Sequence, residues 1–221
     1  MSGCRSTPTP IGSQPAAALE LVIFTPTQGV DPAGVALAGL SIEPVLREQP
    51  GFIGRTLARA DDGQFVDAVN WASIAEAESA ATAVTSNPAL QARVAPFFSQ
   101  IDQNAHFEMS HSDIVVRDSV RPSATPHVLE LVRLREAQEV DRAVFLARAR
   151  EAAGKLQSID GLVAHQLSVD SSGRFVHLVA WESMDKALAA QTKAMTIPAV
   201  VAWFELMDPS SVSVMHYRIC R

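Results

Sequence analysis

Cysteine is nearly missing from this chain. Cys4 lies near the N-terminus and Cys220 is the penultimate residue, so the spacing supports neither a disulfide framework nor a zinc site. A cytoplasmic address is the expectation. No apolar run approaches the roughly 20 residues that cross a bilayer, and no membrane partner is expected. Lysine is scarce too. Arginine outnumbers it 15 to 3, and no basic stripe stands out against a formal net charge of −6, which argues against nucleic acid as a partner. There is no Gly-rich phosphate loop, no G-x-S-x-G elbow and no cysteine nucleophile within a structured element. Nucleotide binding by a known motif and acyl-enzyme hydrolysis are thereby set aside. Residues 1–15 are rich in Ser, Thr, Pro and Gly and lack an apolar segment; residues 1–17 read as a flexible tail, not a secretory signal.

What the chain does have, it has twice. Leu19-Glu20-Leu21-Val22 returns 110 residues later as Leu129-Glu130-Leu131-Val132, and Val30-Asp31 as Val140-Asp141. Gly51 matches Gly161, Gly63-x-Phe65-Val66 matches Gly173-x-Phe175-Val176, and Trp71-x-Ser73 matches Trp181-x-Ser183. Pro88-Ala89 matches Pro198-Ala199. A period of this length is one small domain, not a solenoid unit. The chain reads as residues 18–115 and 127–221 in two copies of one fold, joined by a linker over 116–126 that contains Pro122 and Pro126.

Each copy opens with a short apolar strand, 19–24 or 128–134. Asp31-Pro32 and Asp141 cap a helix, and Pro44 predicts a kink or early end in the first of these helices. A glycine then starts a hairpin whose turn is Asp62-Gly63 or Ser172-Gly173, with strands over 52–59 and 64–71, and 162–169 and 174–181. Ser73 to Glu76 forms a capping box and Ser183 heads the equivalent helix; Asn87-Pro88 and Ile197-Pro198 break and restart these helices. A last strand, 106–115 or 212–219, closes each unit. The order β-α-β-β-α-β is the ferredoxin-like plan, an α+β fold with helices on one face of a four-stranded antiparallel sheet. The other face needs a partner, and each copy supplies one for the other.

These features resemble the dimeric α+β barrel superfamily, and within it the antibiotic biosynthesis monooxygenase-like domains. The resemblance is carried by the strand ending in Trp, the Trp71-Ala72-Ser73 and Trp181-Glu182-Ser183 entries to a helix, the glycine hairpin and the proline break. It implies two sheets packed as an intramolecular barrel, with further homodimerisation left open. Cofactor-free anthrone oxygenases of that family carry an Asn four residues before the Trp, where this chain has Asp67 and His177. They carry a Tyr six residues after it, where this chain has Ala77 and Ala187. Haem-degrading relatives hold iron through a His on the helix after the Trp, and neither copy has one before its fourth strand.

His177 is the sharpest candidate for chemistry. It shares a strand face with Phe175, Val179 and Trp181, and imidazole suits a base that takes a phenolic or enolic proton; a buried structural His is the alternative. His165 on the neighbouring strand either faces it or lies behind it. Trp71 and Trp181 read as core anchors or as walls of an aromatic pocket. Asp67, the counterpart of His177, must be paired or protonated on an apolar face, with Arg55 as its available partner. His106 and Glu108 could hold a metal only with a third ligand, so no metal is expected; His216 reads as a rim residue. The expected function is oxygenation of an aromatic polyketide-like or hydroquinone substrate by O2, metal-free, with or without diffusible reduced flavin. The pocket is expected between sheet and helices of the second copy. The alternatives are a non-catalytic barrel for a small ligand or assembly, and a non-oxidative enzyme such as an isomerase or decarboxylase.

Overall fold

The computed structural model describes residues 16–221; Cys4 and the tail expected over residues 1–17 lie outside them, except for residues 16 and 17. The first repeat comprises β1 (Ala18–Phe24), α1 (Pro32–Ser41), α2 (Glu43–Arg47), β2 (Phe52–Arg59), β3 (Phe65–Trp71), α3 (Ile74–Ser86), α4 (Pro88–Phe98) and β4 (Phe107–Ser119). The second comprises β5 (Val128–Leu134), α5 (Arg142–Leu156), β6 (Leu162–Val169), β7 (Phe175–Trp181), α6 (Met184–Ala194), α7 (Pro198–Phe204) and β8 (Ser213–Ile219). All eight strands close into one antiparallel barrel in the order β1-β3-β2-β8-β5-β7-β6-β4. Among the described residues no helix is long and apolar enough to cross a membrane.

Strand alternation sorts the side chains into two layers. Leu19, Leu21 and Ile23 of β1 point into the barrel, where they meet Leu129 and Leu131 of β5, Ala68, Leu178 and Tyr217. Burying each Leu or Ile contributes roughly 1.5–3 kcal/mol, and this shared layer belongs to both repeats. The opposite set, Ala18, Val22 and Phe24 in one repeat and Val128 and Leu134 in the other, packs outward under its own helices.

Local chemistry explains why both copies fold alike. The Asp31 carboxylate accepts from the Ala33 N–H, and Asp141 from those of Ala143 and Val144. Ser73 and Ser183 cap α3 and α6 by accepting from the N–H groups of Glu76 and Lys186. Gly51 and Gly161 take φ of +77° and +81°, directly against Glu76 and Lys186, so a side chain there meets both backbone strain and a neighbouring helix. Pro44 ends the first helix at Ser41 and sits in the first turn of α2.

The link between repeats differs from the linker reading. Residues 116–119 are strand, because β4 runs unbroken from Phe107 to Ser119. Its register shifts between Ile114 and Val116, a bulge that inserts one residue and bends the strand. The first half of β4 pairs with β1 and the second with β6, from Asp113↔Val169 to Ser119↔Ala164. The other seam is short, pairing only Ala58↔Ile219 and Arg59↔Arg218 between β2 and β8.

Candidate functional site

The outward faces of the two sheets carry different side chains at matched positions. In the first repeat, Arg55 on β2 stands beside Asp67 on β3. The Arg55 Nε–H donates to Asp67 Oδ1 at 2.7 Å and Nη2 to Oδ2 at 2.6 Å, while Nη1 donates to the Gly39 carbonyl. The Arg55 side chain is 1 % exposed. Phe97 of α4 packs edge-on against Phe24, and its ring lies 5.8 Å from the Arg55 guanidinium. Trp71 is buried edge-on against Phe52. Asp67 and Trp71, both candidates from sequence, are therefore parts of a filled core: a bidentate ion pair and a packing anchor.

In the second repeat the same two positions are His165 and His177, and both rings face outward beneath the helices. His177 Nε2 lies 3.4 Å from His165 Nδ1, with the rings nearly perpendicular. The ring of Trp203 on α7 stands edge-on to His177 at 5.7 Å. Above them is a cavity of about 610 Å³, within the usual range for small-molecule sites. His177, Val179 and Trp181 form its floor with Glu130 of β5; Ala190, Ala194, Trp203 and Met207 form its roof. Met195, Phe204, Val212 and Val214 line it while remaining partly exposed, which places them at its mouth. Two differences from the first repeat open this space. Leu134 replaces Phe24 on the first strand, and α7 spans seven residues where α4 spans eleven.

The polar groups of the cavity are few: Glu130, His177 and Gln191. Glu130 accepts from His216 Nε2 at 2.9 Å, so His216 reaches the site through Glu130. The first repeat repeats this pair as Glu20 and His111 at 3.0 Å, which makes it part of the shared architecture. The indole N–H groups of Trp181 and Trp203 have no protein acceptor, and neither has that of Trp71; the unpaired indole is thus a property of both repeats.

Burial dominates the titration of the histidine pair. It pushes His177 down to about 3, helped by the neighbouring His165. It also lowers His165, against the upward pull of the Asp118 carboxylate and the Ala153 carbonyl. Both rings are neutral in the folded protein at neutral pH, whereas the unfolded chain takes up their protons near the ordinary value of 6.5. Their contribution to stability is therefore complete above about pH 6.5 and is lost as the pH falls through the lowered values, down to about 3 for His177. His111 acts oppositely. The hydrogen bond that its ring donates to Glu20 raises it, so its stabilisation is complete below about pH 6.5 and fades as the pH climbs through the raised value. Denaturation midpoints measured across this range should fall on acidification in the wild type and fall less in His177→Gln, which cannot take up a proton. An unchanged slope in the variant would contradict the burial argument.

Sequence reasoning passed over three residues here. Trp203 was legible as an inward position three residues after Val200 on one helix face. Glu130 was visible only as a repeat match. Asp118, beside His165, fell within the linker assignment. His106 Nε2 lies 3.9 Å from Glu108 Oε2, and Glu108 also accepts from Arg133 at 2.7 Å.

No family model and no curated protein matches this chain in sequence. Solved structures match over nearly its whole length. A "Putative monooxygenase" from Fusobacterium nucleatum superposes with a TM-score of 0.69 at 8 % identity, covering 93 % of each chain. An anthrone oxidase-like protein gives 0.64 at 12 % identity, covering 96 % of this chain and 94 % of the other. A heme-degrading enzyme from Listeria monocytogenes gives 0.51 at 12 % identity, covering 90 % and 98 %. At such identities the shared property is the fold, an α+β barrel built from two ferredoxin-like repeats.

Proposed function

We propose that this protein is an oxygenase for an aromatic substrate, which binds in the cavity of the second repeat and is oxidised by O2 without a metal. The observation that carries this reading is a roomy apolar cavity, present over one repeat's sheet, with a neutral buried imidazole in its floor. An anthrone-like ring system provides the balanced reaction. His177 takes one proton from the ring methylene, leaving an electron-rich enolate that reduces O2 at carbon. The resulting peroxide loses water as the methylene becomes a carbonyl. One oxygen atom stays on the ring, and the other leaves as water with the two substrate hydrogens. Burial holds this ring nitrogen near 3, so it is a weak base that returns its proton readily to the departing oxygen.

The wall suits neither haem nor tightly held flavin. Haem propionates and a flavin phosphate call for cations, and no Lys or Arg lines the cavity; its one ionisable carboxylate, Glu130, carries the wrong sign.

The low basicity of His177 favours a second reading, a barrel that binds an apolar aromatic ligand without turning it over. Oxygen uptake on a panel of anthrones and hydroquinols, with and without reduced flavin, separates the two. The oxygenase reading expects uptake by the wild type and its loss in Ala190→Trp, which fills the cavity, with the circular dichroism unchanged. Quenching of tryptophan fluorescence by these compounds without any uptake would transfer the assignment to the binding barrel.

A further inference from the structure

Asp118 reaches the second repeat because β4 bulges past Ile114 and pairs with β6, where Asp118 stands opposite His165. Its Oδ2 lies 3.5 Å from His165 Nε2, and His165 Nδ1 lies 3.4 Å from His177 Nε2. These contacts are longer than ordinary hydrogen bonds, as polar contacts of active sites commonly are before substrate binds. His165 Nε2 makes no hydrogen bond in the structure, and the carboxylate facing it at 3.5 Å favours one order of protons along the chain. A carboxylate can only accept, so its charge favours the His165 tautomer with the ring proton on Nε2 and a lone pair at Nδ1. Two lone pairs cannot face each other, so His177 carries its proton on Nε2 and donates it toward His165. The Ala153 carbonyl also draws on the His165 ring, and Trp203 stands edge-on to His177. The nitrogen of His177 left for a ligand is then Nδ1, as a bare acceptor.

We propose that Asp118 is a positioning residue: acting through His165, it selects the His177 tautomer whose Nδ1 accepts a proton from the bound substrate. The inference rests on the reading of the cavity as the substrate site. In the first repeat the chain of contacts has no counterpart, since Arg55 and Asp67 occupy the matched positions.

Long-range proton–nitrogen correlation spectra of the full-length chain, labelled with nitrogen-15 histidine, report each ring's tautomer without any substrate. Signals are assigned by their loss in His165→Gln and His177→Gln. The expectation is an Nε2–H tautomer for both rings in the wild type, and a mixture containing Nδ1–H in Asp118→Leu. An Nδ1–H tautomer of His177 in the wild type would overturn the proposal, and this spectrum decides the matter even if Asp118→Leu fails to fold. Tautomers unchanged in a folded Asp118→Leu would overturn it equally. In oxygen uptake, Asp118→Leu should lower kcat on the order of tenfold or more while KM stays within about twofold; an unchanged kcat would remove the positioning role. A wild type that consumes no O2 would sink the oxygenase reading, while the spectra still decide the tautomer.

Discussion

Asp67→Ala is expected to destabilise the protein by about 3–5 kcal/mol, because it strands a buried guanidinium. Arg55 is almost wholly enclosed, and two of its three hydrogen bonds go to Asp67, the third to the Gly39 carbonyl. The side chain cannot swing to water without opening the layer between α1 and the sheet, where Phe97 also leans on it. Removing both charges costs less than removing one. Arg55→Leu combined with Asp67→Leu should therefore recover most of the loss, apart from the abandoned Gly39 carbonyl. Equilibrium denaturation of the single and double variants measures this directly. A single variant within about 1 kcal/mol of the wild type would show that water reaches the pair and that it behaves as a surface salt bridge.

His177→Ala should reduce oxygen-uptake kcat by about 10²–10⁴-fold, the usual worth of a general base. Affinity for the aromatic substrate, read from tryptophan quenching, should change little, since the apolar wall is left in place. The variant also enlarges a cavity that already exists and relieves the cost of burying an imidazole, so it should fold. His177→Gln supplies a control of similar size that can hydrogen-bond but cannot cycle a proton; it should be as inactive as the alanine. Activity retained in both would remove His177 from the chemistry and leave the cavity as a binding site.

The two repeats were legible because their punctuation is local. Asp31 and Asp141, Ser73 and Ser183, and the glycines at 51 and 161 act on groups within a few residues or across one tight hairpin. The outward placement of His177 with Trp181 followed from strand alternation alone. The position of His165 did not, because β6 and β7 shift register between Leu162 and Ala164. A one-residue shift reverses every later side chain, so the facing of His165 could not be read from sequence spacing. The end of β4 is hidden from the sequence for a related reason. Val115, Val116 and Arg117 look like a strand running out toward prolines, and only the pairing with β6 keeps them extended.

The sequence by itself determined that this chain is a duplicated ferredoxin-like unit whose sheets must cover each other, since repeated caps, turns and apolar strands act over short range. Tertiary structure decided that the repeats are unequal where it matters for chemistry. Whether a histidine or an aspartate sits over a cavity or within a sealed core depends on the bulk of residues distant in the chain: Phe24 against Leu134, and a long α4 bearing Phe97 against a short α7 bearing Trp203. It also decided that Asp118, carried by a strand of the first repeat, lies beside the histidines of the second. Volumes and distances of that kind arise when separate elements pack together, and periodicity along the chain does not encode them.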